Sequence, residues 1–158
     1  MQIDQGDLGP SALCTGDVYI TGDSHGIDVS ENKIIQQCTT VKYDTDGVFQ
    51  WSAVYDAGNN ARCFDIAVFE DSSDGQTYAY IASTVLTADD WEKFAVVKYD
   101  SAGTQVWERT YSFIGSSSYE NTASSFHLDA NGTAYIGGQG ETVAGWIAAT
   151  VVAFDKDG

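Results

Sequence analysis

Proline is all but missing from this chain: Pro10 stands alone among 158 residues. Basic residues are scarce as well, seven Lys and Arg against 23 Asp and Glu, for a formal net charge of −16. A surface of that sign repels phosphate backbones and anionic headgroups, which disfavours nucleic acid and membrane surfaces as partners. No apolar run approaches the ~20 residues of a spanning helix. The opening Met1-Gln2-Ile3-Asp4-Gln5 has neither the basic nor the apolar region of a signal peptide. Cysteine is sparse and odd in number: Cys14, Cys38 and Cys63, without C-x-x-C spacing. That pattern indicates neither a disulfide framework nor a zinc site; buried thiols are expected, with a single disulfide left open. A Gly-x-Ser-x-Gly elbow and a His-Glu-x-x-His metal motif are both absent from the sequence.

What is present is a packed, turn-rich composition. Aromatics at 13% exclude a disordered chain, and 16 glycines suit many short strands joined by tight turns. The order of those residues carries a period. Val41-Lys42-Tyr43-Asp44, Gly47, Trp51 and Tyr55 recur as Val97-Lys98-Tyr99-Asp100, Gly103, Trp107 and Tyr111, each 56 positions on. A third copy, Val152-Ala153-Phe154-Asp155 and Gly158, follows 55 positions later. Self-similarity at this spacing marks repeated supersecondary units that each need a neighbour to bury an apolar face.

Each unit resolves into four expected strands. The first covers residues 11–14, 63–69 and 123–129. The second surrounds a tyrosine: Val18-Tyr19-Ile20, Ala79-Tyr80-Ile81 and Ala134-Tyr135-Ile136. The third covers 39–44, 94–100 and 147–155, and the fourth, which holds the tryptophans, 48–55 and 104–111. Only the third unit lacks its fourth strand. Short turns such as Asp44-Thr45-Asp46-Gly47, Asp100-Ser101-Ala102-Gly103 and Asp129-Ala130-Asn131-Gly132 put Asp first and Gly last, the chemistry of a type I hairpin turn with a bulge. The other connections, 23–38, 85–93, 139–146, 56–62 and 112–122, read as long variable loops gathered at the opposite end. One end of constant turns and one of variable loops is the form of a scaffold with a single working face.

These words resemble the bacterial β-propeller repeat family (SBBP) and, more distantly, NHL-type repeats. The resemblance rests on Ile66-Ala67-Val68, Gly16-Asp17-Val18-Tyr19-Ile20-Thr21-Gly22, Thr40-Val41-Lys42-Tyr43-Asp44 and Gly47-Val48-Phe49-Gln50-Trp51, and covers about residues 11–158. It implies an all-β chain of propeller blades: 11–56, 63–112 and an incomplete 123–158. It also implies a secreted or surface-exposed bacterial protein. A propeller closes with roughly four to eight blades, and this chain holds fewer than three. The expectation is a homodimer closing a six-bladed ring, with residues 1–10 as an arm that completes the partner's outer edge.

Candidate chemistry is thin. The turns 155–158 and 71–75 faintly suggest calcium loops, but the alternating ligands and closing Glu of such a loop are missing, so no metal or other cofactor is expected. His127 replaces Ala67 of the second unit, on the first strand, beside or facing a central channel. Asp23, His25, Trp91, Tyr119 and Trp146 fall in or beside the variable loops, outside the repeated core positions. Aromatic faces flanked by Asp and Glu suit a carbohydrate or peptide ligand. The resulting expectation is a non-catalytic binding scaffold. Two alternatives stand beside it: a carbohydrate-active enzyme using carboxylates at the channel mouth (Asp23, Asp56, Asp65, Asp90, Glu120), and a structural segment of a larger surface protein.

Overall fold

The computed structural model describes residues 2–3, 16–28, 32–57, 60–86, 92–112, 121–141 and 144–158. Among these residues there is no helix. The first sheet holds β1 (Gln2–Ile3), β2 (Val18–Asp28), β3 (Lys33–Tyr43) and β4 (Phe49–Tyr55). The second holds β5 (Asn60–Asp71), β6 (Gln76–Leu86), β7 (Glu92–Tyr99) and β8 (Gln105–Tyr111). The third holds β9 (Thr122–Leu128), β10 (Ala134–Glu141) and β11 (Ile147–Phe154). Every pairing is antiparallel and the strands follow in chain order, so the protein is all-β in three open meanders. The first sheet lies against β5 of the second, and β5, β6 and β7 lie against β9 of the third.

Tight turns form where the sequence places Asp and Gly. Asp44 Oδ1 accepts from the backbone N–H of Asp46 and of Val48, while Gly47 N donates to Asp44 O. Asp100 and Asp129 repeat this bonding, and Gly47, Gly103 and Gly132 all sit at φ near +80°, where a Cβ is strained. The side-chain acceptor and its donors all lie within the turn itself. The register irregularity at Lys42/Tyr43 recurs at Lys98/Tyr99, 56 residues on.

The sheets have two unlike faces. Tyr19, Cys38, Trp51 and Tyr55 of the first sheet pack on Ile66, Ile81, Val97 and Tyr99 of the second. Tyr80, Phe94, Val96 and Trp107 of the second pack on Ala123, Ala134 and Ile136 of the third. A tyrosine face therefore meets an isoleucine face at both seams. The second sheet is buried on both sides, so β7 has six consecutive buried residues, Phe94 to Tyr99, with no alternation. Each large side chain buried there stabilises the stack by about 1.5–3 kcal/mol.

The repeated tryptophans cross the seams. Trp51 Nε1 donates to Ser101 O at 3.0 Å and Trp107 Nε1 donates to Lys156 O at 3.1 Å. Each indole thus reaches the first residue after the aspartate of the next unit's turn. A Cβ on Gly103 would lie 2.7 Å from the Trp51 ring, so the glycine also lets the turn sit directly on the indole. Tyr55 Oη donates to Glu108 across the first seam at 2.6 Å, and burial pushes this phenol well above its ordinary range. The repeat is an inter-sheet latch as much as a strand pattern.

Three expectations need correction. Cys38 and Cys63 are joined in a disulfide, Cα–Cα 5.5 Å, that ties β3 to β5 across the first seam, rather than standing as buried thiols. The connection 23–38 is largely a hairpin: β2 and β3 pair without interruption from Val18↔Tyr43 to Asp28↔Lys33. The tyrosine strands of the other two sheets likewise run on, to Leu86 and Glu141. Within the chain Gln2–Ile3 forms the first strand of the first sheet, where Ile3 pairs with Val18 as Val68 pairs with Ala79. The expected strand 11–14, Cys14 and the rest of the arm lie outside the described residues.

Candidate functional site

The five expected ligand-binding residues are not brought together. Asp23 is on β2, where its Oδ1 accepts the backbone N–H of Cys63 at 3.0 Å, a seam contact that sets the second sheet against the first. His25, two residues on along the same strand, is exposed, opposite Gln36. Trp146, just before β11, is 75% exposed. Trp91 and Tyr119, like Asp90 and Glu120, lie outside the described residues. Asp56 accepts from Gln37 Nε2 on β3, and Asp65 Oδ1 accepts the backbone N–H of Ile66. His127 is exposed on β9, its ring 6.5 Å from that of Tyr135.

The loop end still carries a pocket, at the seam of the second and third sheets. Arg62 and Phe64 from β5, Thr84 from β6, Glu92 from the start of β7, and Thr122 with Ala123 from β9 line a cavity of about 200 Å³. Glu92 Oε2 is shielded from solvent and has no hydrogen-bond partner among the described residues. Burial raises its carboxyl above the ordinary range, and the nearby Arg62 charge opposes that shift. Beneath it Asn121, almost wholly buried, donates through Nδ2 to Glu92 O and accepts the N–H of Glu141. Thr84 Oγ1 accepts the N–H of Ala123, closing the floor. A guanidinium, an unpaired carboxyl and the partly exposed Phe64 ring suit a small hydroxylated ligand. Neither Glu92 nor Arg62 belongs to a motif. The nearest sequence signal is Trp91, which precedes Glu92 in a connection already marked as variable.

A second cavity, about 580 Å³, opens at the turn end of the same seam and is lined by Asp71, Tyr78, Lys98, Arg109 and Lys156 among others. Its charges are largely spoken for. Lys156 Nζ binds Asp71 at 2.8 Å, holding that carboxyl well below the usual range, and Tyr78 Oη donates to Asp74. Lys98 Nζ donates to Lys156 O and stands 3.9 Å from the centre of the Tyr78 ring; burial lowers its affinity for a proton. Arg109 Nε donates to Gly158 O. Such mutual pairing describes a structural seam. Lys42, its counterpart in the first sheet, pairs with Asp17 at 2.7 Å. Among the described residues there is no group of three or more His, Cys, Asp or Glu placed to hold a metal ion.

The chain matches no protein-family model and no curated protein sequence, so the likeness to the bacterial β-propeller repeat rests on the residues quoted above.

Proposed function

We propose that the chain is a non-catalytic β-propeller scaffold that binds a carbohydrate through its loop end, and that two copies close a six-bladed ring. The reading is supported by three like sheets stacked in chain order with the same tryptophan latch at both seams. The observation that carries the binding part is the Glu92–Arg62–Phe64 cavity, whose unpaired shielded carboxylate oxygen lacks the partner a sugar hydroxyl would supply. Its volume fits one small moiety, below the usual range for larger ligands.

The test is a melting-temperature and calorimetric screen with monosaccharides and short oligosaccharides. A binder at a hundred times its Kd stabilises the fold by about 2.7 kcal/mol. Glu92→Gln and Arg62→Ala each remove that gain while leaving the unliganded melting temperature close to the parent's. A panel without any shift, or a shift that survives both substitutions, overturns the assignment. Burial shifts the Glu92 carboxyl upward, the direction a glycosidase acid needs, which favours a second reading as such an acid. Release of reducing sugar from a bound oligosaccharide, abolished in Glu92→Gln, would establish it.

A further inference from the structure

We propose that the two open sheet faces of the stack dock on each other in a second copy of this chain, head to tail, and not each on its own kind. This rests on the ring reading above and specifies its contacts. Within the chain the tyrosine faces of the first and second sheets are covered by the isoleucine faces of the second and third. One face of each kind is left over. On the third sheet it is the tyrosine face: Tyr135 of β10 with Ile147, Ala149, Val151 and Ala153 of β11, where Val151 is 71% exposed. On the first sheet it is the isoleucine face: Ile20 at 41%, with Val41 and Val54.

Apolar residues run through both leftovers, with Ser125, His127 and Gln139 beside them on the third sheet and Ser24, Thr39 and Ser52 on the first. The outward row of β11 contains no polar residue, although alternation along a strand facing water should place one there. The third-sheet face is also hollow. Gly137, Ala149 and Ala153 stand where the second sheet carries Ala82, Phe94 and Lys98, and Ser125, Gly137, Ala149 and Val151 line a groove of about 720 Å³. An incoming face with larger side chains fits there, and the isoleucine face of the first sheet has them.

Area decides between an open and a closed arrangement. Three strands about 4.8 Å apart and about eight residues long present roughly 400 Å². One junction therefore buries on the order of 800 Å² over both faces, less than a stable complex needs, while two junctions bury about 1,600 Å², the standard size. A pair of chains joined at both ends reaches that area.

The experiment is light scattering on a size-exclusion column, over a hundredfold range of concentration, for the parent and for Ile20→Glu and Val151→Glu. Both substituted side chains are exposed, and circular dichroism with the melting curve confirms folding; Val54→Lys and Ala153→Glu replace any variant that fails this check. Head-to-tail closure gives a parental dimer and two monomeric variants. If either variant stays dimeric, like faces pair with like and the proposal falls while self-association stands. A parental monomer overturns both, and assigns the faces to further units of a longer chain. Loop-end sugar binding is read separately and bears on neither result.

Discussion

Opening the Cys38–Cys63 bond perturbs the first seam alone, and its effect can be worked out in advance. The bond spans 25 positions, a segment that contains all of β4 and joins β3 to β5. Closing a loop of that size in the unfolded chain removes about 12 cal/mol/K, or about 3.5 kcal/mol at 25 °C. A domain of 158 residues melts with an entropy of roughly 330 cal/mol/K, so losing the bond lowers the melting temperature by roughly 10 °C. Scanning calorimetry with and without a phosphine reductant measures the drop, and the double variant Cys38→Ala/Cys63→Ala reproduces it within a few degrees. Thiol titration in denaturant gives one reactive group before reduction and three after. Three thiols at the outset would refute the bond. A shift under 2 °C with the bond shown to open would refute the loop-closure argument, leaving the seam to packing alone.

Three further outcomes are expected. Trp51→Phe loses the indole N–H that Ser101 O accepts, costing about 1–3 kcal/mol on a urea curve, whereas Trp107→Phe leaves Lys156 O its bond from Lys98 Nζ and costs less; no loss in Trp51→Phe would reduce the latch to packing. Asp71 has its folded pKa depressed, first by Lys156, so its contribution is present above the unfolded carboxylate pKa and fades as pH falls through and below that value. Asp71→Asn should therefore melt lower than the parent at pH 6 and approach it by pH 2; a constant gap across that range contradicts the pairing. Burial pushes Tyr99 up to about 12, so the stability its neutral phenol contributes is intact below pH 10 and lost as pH rises toward 12. Tyr99→Phe should lessen the alkaline decline in melting temperature, and an unchanged decline would assign it to other groups.

The turns were legible in the sequence because their chemistry is local. Asp100 reaches the N–H groups of Ala102 and Thr104 within its own turn, and Gly103 supplies the positive φ. The tyrosine strands were legible in their cores and not in their length. Ser24, His25, Gly26 and Asp28 read as loop residues, yet a paired ribbon needs only ladder bonds, which composition does not display, and Ile27 meets Ile34 near its tip. The disulfide depends on how β3 and β5 approach across a seam, a distance that no spacing between cysteines encodes. Two-residue β1 is too short for any periodicity. At the site, Asp23 and His25 lie on β2 and do not line the cavity, while Glu92 and Arg62 come together only through the starts of β7 and β5.

The double-sided burial of the second sheet has a consequence for how such chains change length. The second sheet offers a tyrosine face to one neighbour and an isoleucine face to the other, an arrangement that a further copy of it could repeat. Duplicating or deleting one such 56-residue unit would lengthen or shorten the stack and leave both of its ends as they were. Slippage by one period then keeps a tyrosine face against an isoleucine face at each seam, and in the proposed ring the circumference becomes the trait exposed to selection.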